Sequence, residues 1–138
     1  MRYTIAFLFI LVLFTNCESR KTSKETAVQD LPKSPKETVE AYLAAVNRFD
    51  FKTAKEFVIL NPKNLATLED LKKMEKSIPD DQKSRFLNKE KDAVYYEKEI
   101  TDSTARIFVT PNQDIVLPIE FNLKKVNEKW LIESVISH

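Results

Sequence analysis

Proton transfer and nucleophilic attack draw on a short list of side chains, and this chain is sparing with them. It holds one histidine, His138, one cysteine, Cys17, and no glycine. His138 is the last residue, where fraying is the default, so no positioned base is expected there. Cys17 lies at the far end of the sequence, and no Cys–His pair is expected either. Without glycine there is no phosphate-cradling loop, dinucleotide fingerprint or nucleophile elbow, since each needs close backbone approach or positive φ. One His and scattered carboxylates give no recognised metal-ligand spacing, and no cofactor is expected. Carboxylates and tyrosines remain for acid–base work: Tyr42, Tyr95, Tyr96, Glu97, Glu99 and Glu120.

Position explains Cys17 better than catalysis does. Arg2 supplies a positive start, and Ile5 to Phe14 is almost wholly apolar. That run is far shorter than the roughly 20 residues of a bilayer-spanning helix and fits the apolar region of a signal peptide over residues 1–16. Leu13-Phe14-Thr15-Asn16 lack the small residues of an ordinary cleavage site. The arrangement resembles the lipobox of bacterial lipoproteins, in which a leucine stands a few residues before a cysteine. The resemblance implies that Cys17 is thioether-linked to diacylglycerol and becomes the mature N-terminus. It places the protein in the bacterial cell envelope, lipid-anchored to a membrane, with the outer membrane (periplasmic or surface side) as the expected one. A plain signal peptide or N-terminal anchor with an incidental cysteine is the other reading. A lone cysteine in an exported chain has no internal disulfide partner, and a free thiol there is a liability. Acylation removes that liability, and two or more chains anchor stably where one holds only marginally.

The formal charge of +1 includes Arg2, so the chain from Cys17 onward is balanced. A nucleic-acid binder shows a basic excess or stripe, and that class is not expected. Residues 17–33 read as the lipidated Cys and a flexible linker, because "ESRKTSKETAVQDLPK" is polar, mixed in charge and without periodicity. Residues 34–138 have the size of one domain.

The elements that must position any site come in two blocks. Ser34-Pro35-Lys36-Glu37 combines a cap, a first-turn proline and a capping-box glutamate. Val39, Tyr42, Leu43 and Val46 then make one apolar stripe, predicting a helix to about Asn47. Asp50 caps a second helix carrying Ala54, Phe57 and Val58 inward, stopped by Asn61-Pro62. Thr67 to Asp70 starts a third, with Leu71, Met74 and Ile78 as its stripe and Pro79 as its end. A turn or two of helix is expected between Asp80 and Asn88.

From Ala93 the period changes to two. Strands are expected over Val94–Ile100, Ala105–Thr110, a run from Ile115 to Leu123, and Trp130–Ile136, separated by polar turns. In the third, Ile115, Leu117, Ile119, Phe121 and Leu123 share the core face, which leaves Glu120 solvent-exposed. Pro118 cannot donate to a ladder, so a bulge or edge is expected there. Tyr95 and Tyr96 point to opposite faces, and Glu97 and Glu99 share the face of Tyr95. The fold class is α+β: three N-terminal helices on a curved four-stranded antiparallel sheet.

"SPKETVEAYLAAVNRFDFKTAKEF" and the closing hairpin "LKKVNEKWLIESV" resemble the opening helices and last hairpin of the nuclear transport factor 2-like superfamily. The likeness is to its bacterial lipoprotein branch, and Glu128 stands where that hairpin has glycine. The resemblance covers Ser34 to Ile136 and implies a sheet wrapped around the first helix, with a cone-shaped hollow between them. Tyr42, Tyr96 and Trp130 are the residues that could line such a hollow; the competing reading makes them ordinary core with hydroxyls at its rim. Function follows by elimination. A membrane-anchored, non-enzymatic binding or scaffolding module, taking a small molecule, peptide or protein, is expected first. An isomerase- or dehydratase-like enzyme using a buried carboxylate and Tyr is the alternative. A structural or inhibitory envelope protein with a filled hollow is the third.

Overall fold

The computed structural model describes residues 31–111 and 117–138. Cys17, the leader and most of the linker lie outside the described residues, as do Ile115 and Val116. Among the described residues no helix is long and apolar enough to cross a membrane.

The Ser34-Pro35 signal builds α1, Pro35–Asn47. Ser34 Oγ accepts from the Glu37 N–H at 3.2 Å, and the Glu37 carboxylate reaches back to the Lys33 N–H at 2.7 Å. One orphan donor of the helix start is thereby met, and the residue ahead of the cap is tied to the first turn. The far end closes in a Schellman motif: the Phe49 N–H bonds the Val46 carbonyl and the Asp50 N–H bonds that of Ala45. The residue in the left-handed position there is normally glycine. With none in the chain, Phe49 takes it at φ 59°, its ring held edge-on by Phe51 and Phe86. Asp50 then caps α2, Phe51–Ala54, by accepting from the Thr53 N–H. One 3₁₀ turn, Lys55–Phe57, follows.

Val58 is not helical, contrary to expectation. It forms a parallel bridge with Ile132, and the Ile59 N–H bonds the Ile132 carbonyl at 2.8 Å. Asn61-Pro62 starts a helix rather than stopping one. Asn61 Oδ1 accepts from the Asn64 N–H at 2.8 Å, and Pro62 opens α3, Pro62–Ser77, with Thr67 well inside it. The preceding turn has already ended at Phe57, so Asn61-Pro62 acts only as the cap and first position of the next helix. The buried residues of α3 are Asn64 and Leu68, in its first half, and Met74 is exposed. Two short helices follow, α4 over Asp80–Lys83 and α5 over Lys89–Asp92, with a 3₁₀ turn at Ser84–Phe86.

The strands are β1, Val94–Lys98; β2, Thr104–Thr110; β3, Ile119–Val126; and β4, Lys129–Ser137. They form one open antiparallel sheet in chain order. With helices packed against it the class is α+β. Ala105, Ile107 and Val109 of β2, Phe121 and Leu123 of β3, and Ile132 of β4 meet Val39, Tyr42 and Ala45 of α1 in one core. Leu117, expected in that core, is 63% exposed. The strand starts only at Ile119, because Pro118 has no N–H for the ladder and the residue before it lies outside. The irregularity expected at Pro118 falls instead between Asn122 and Leu123, where Glu133 is the extra residue on β4. Asn127 and Glu128, at φ 48° and 62°, form a two-residue hairpin turn with both centres left-handed. Val126 and Lys129 therefore belong to the strands.

Candidate functional site

The space between α1 and the sheet, where a hollow was expected, is packed. Thr38, Val39, Tyr42 and Ala45 meet Ile107, Phe121, Leu123 and Ile132, all buried. Tyr42 contacts Phe121 edge-on at 6.1 Å between ring centroids, and burial pushes its phenol up to about 12. Tyr42 is a core residue that keeps its proton. Tyr96 lies 53% exposed on the outer face of the sheet, paired with Phe108. Neither lines an interior hollow, because the apolar stripe of α1 and the inward rows of β2 and β3 fill the space between them.

Trp130 does line an opening, on the other side of α1. A crevice of about 440 Å³ runs between the back of α1, the Lys55–Phe57 turn and the start of β4. Ala41 and Ala44 lie off the inward stripe of α1, and their small side chains leave room that Phe57, Trp130 and Leu131 wall in. Leu31 and Pro32 cross it, and Arg48, Glu56 and Lys129 supply charge at its edge. The volume falls within the ~300–1,000 Å³ of small-molecule sites. Farther along β4, outside the crevice lining, the strand backbone is engaged by α3 and its cap. Asn64 Nδ2 donates to the carbonyls of Ile59, Ile132 and Glu133 at 2.8, 3.0 and 3.1 Å, and Asn61 Nδ2 to Glu133 at 2.9 Å.

Across Leu31-Pro32 lies a wider, shallower depression of about 1030 Å³, bordered by Lys36, Glu40, Glu90 and Tyr95. Glu90 is a buried carboxylate beside a tyrosine, the pairing that acid–base chemistry would need. Both groups are committed elsewhere. The Tyr95 hydroxyl donates to the Glu90 carbonyl at 2.7 Å, while Glu90 Oε2 accepts from Asn47 Nδ2 at 2.7 Å. These bonds latch α5 and β1 to α1. Burial raises the Tyr95 pKa, and the charges of Glu40 and Glu90 raise it further, so the phenol holds its proton.

Glu120, expected to be exposed, is only 9% exposed. It does stand on the outer face, but its neighbours cover it: Phe108 and Ile136 pair with it on either side. Arg106 Nε lies 3.3 Å from one oxygen and His138 Nε2 3.1 Å from the other. Burial would raise the Glu120 pKa, but hydrogen bonds from His138 and Asn122 and the charges of Arg106 and His138 together hold it below the usual carboxylate value. Glu97 and Glu99 are exposed. Among the described residues no three of His, Cys, Asp and Glu converge closely enough to hold a metal ion.

Compared with known proteins, the chain matches no family model, no curated protein and no solved structure. The crevice depends on residues that sequence reasoning passed over. Leu31 and Pro32 were read as linker, and Ala41 and Ala44 were given no role. The available signal was a pair of small residues on the helix face away from the Val39–Tyr42 stripe, with an apolar Leu-Pro just before the cap.

Proposed function

We propose that the protein is a cell-envelope lipoprotein, tethered to a membrane through Cys17, that works as a non-enzymatic binding or scaffolding module. The crevice beneath Leu31-Pro32 carries the binding part of this reading: it is open and apolar, and it contains the only tryptophan. It lies where the tether enters the domain, so a ligand or partner held there stays close to the membrane. The filled interior moves the contact region from a hollow inside the cone to the back of α1. The non-enzymatic part is supported by how the polar groups are spent, with Tyr95 and Glu90 latched and Tyr42 in the core. For the fold, a nuclear transport factor 2-like relationship remains our proposal, supported by a proline-started α1 packed across a four-stranded antiparallel sheet.

Two measurements test this. Metabolic labelling with a fatty acid should mark the wild type and not Cys17→Ser; equal labelling of both would remove the tether. A photo-crosslinking amino acid placed at Glu56, exposed on the crevice edge, in the native host should capture a ligand or partner, and the same group at Tyr96 should not. Capture at Tyr96 alone, or at neither position, would remove the crevice from consideration.

A further inference from the structure

We infer that the crevice takes a fatty acid: one acyl chain lying along α1, with its carboxylate at Arg48 and Lys129. This deepens the binding reading above and rests on it. Two observations select the occupant. The floor and walls are hydrocarbon and aromatic, from Ala41, Ala44, Phe57, Trp130 and Leu131, and the volume of about 440 Å³ suits a single chain. The lining has two cations and one acid, Glu56. Among the described residues neither Arg48 nor Lys129 is in an ion pair. An exposed cation without a partner next to an apolar slot is complementary to an anionic head on an apolar tail.

Trp130 is the chain's only tryptophan, so its emission reports the crevice without labelling. The full chain, reconstituted in neutral phosphatidylcholine vesicles, is titrated with ω-bromododecanoate, whose bromine quenches an indole on contact. Saturable quenching is expected, weakening roughly fourfold for each methylene removed from the chain, as the loss of buried CH₂ groups dictates. The matching bromo-alcohol should bind about tenfold more weakly, and Arg48→Gln with Lys129→Gln should weaken the acid by a similar factor and leave the alcohol unchanged. Both substituted residues are exposed, so the double variant keeps its fold; Ala44→Leu, which fills the slot, should abolish quenching by either probe.

Equal binding of acid and alcohol by the wild type would overturn the carboxylate assignment. Tighter binding of a brominated lysophosphatidylglycerol than of the free acid would overturn the fatty acid in favour of a membrane lipid. Absent quenching with capture at Glu56 intact would overturn the acyl ligand and leave the binding module standing. Absence of both would take the module with it.

Discussion

His138 Nε2 lies 3.1 Å from Glu120 Oε2, and the imidazole stacks on Phe108 at 6.5 Å with 13° between the rings. The contact ends a line of charges across the outer face of the sheet, from Glu99 through Arg106 and Glu120 to His138. A residue expected to fray instead covers a carboxylate that was expected to be bare.

Acid should reveal this arrangement. Glu120 has a folded-state pKa held below its ordinary value, so it contributes stability that is fully present above the unfolded-state value. That contribution is lost as pH falls through the folded-state value. Urea unfolding from pH 7 down to pH 3 should therefore show a loss for the wild type that exceeds that of Glu120→Gln, with the excess confined to the region below the usual glutamate range of about 4.3. Other carboxylates titrate in both proteins, so the difference between the curves is the measurement. Parallel curves would show that Arg106, Asn122 and His138 do not favour the ionised form.

Phe121 and Leu117 separate the observed register from the one alternation suggests. Phe121 is 1% exposed and meets Tyr42 edge-on, so Phe121→Ala should cost about 3–5 kcal/mol, a large part of the roughly 5–15 kcal/mol a domain has. Leu117→Ala, ahead of the strand, should stay within about 0.5 kcal/mol. The denaturation midpoints of the two variants check both figures. A large loss from Leu117→Ala would return that residue to the core.

The contrast shows what a sequence conveys. Helix grammar was legible at Ser34-Pro35 and Asp50, because caps are local and their partners lie within one turn. The meander was legible because alternation in β2 and β3 reports which face is buried. Alternation does not report what covers the other face, and Glu120 was misjudged for that reason: its cover comes from Phe108, Ile136 and His138 on separate strands. Asn61-Pro62 failed in another way, since one signal carries two meanings and the partners that choose between them, Ile132 and Glu133, are distant in sequence. The crevice was hardest of all. It is a gap left by Ala41 and Ala44, and periodicity marks side chains that fill space better than those that leave it open.

The hairpin turn makes a clean test of the missing glycine. Glu128 holds φ at 62°, a conformation costing an L-residue with a Cβ about 1–2 kcal/mol. Its side chain is 90% exposed and, among the described residues, pairs with Lys125 alone, which offsets little. Glu128→Gly relieves the strain but adds freedom to the unfolded chain. A net gain of about 0.5–1 kcal/mol is expected, read as a higher urea midpoint with an unchanged slope. A drop in stability would mean that the Lys125 contact outweighs the backbone cost.

Asn64 offers the strongest test of how α3 is attached. It is a buried polar residue on a helix whose other buried residue is Leu68, and its amide serves carbonyls from two segments, Ile59 before the helix and Ile132 and Glu133 on β4. Leucine has nearly the same size and is more apolar, so a count of buried hydrophobic area predicts that Asn64→Leu stabilises. The hydrogen-bond argument predicts the opposite, since each bond the amide gives up is worth about 0.5–1.5 kcal/mol. All three carbonyls keep another donor, the Asn61 N–H on Ile59, the Ile59 N–H on Ile132 and Asn61 Nδ2 on Glu133, so none is left bare and the expected net loss is about 1 kcal/mol. Asn61→Ala, which removes a helix cap as well as one strand contact, should cost about 1 kcal/mol. Hydrogen exchange places the effect: amides of α3 should exchange faster in Asn64→Leu, while those of β2 and β3 change only as global stability does. Stabilisation by Asn64→Leu would mean that α3 is held by Leu68 and its apolar contacts alone.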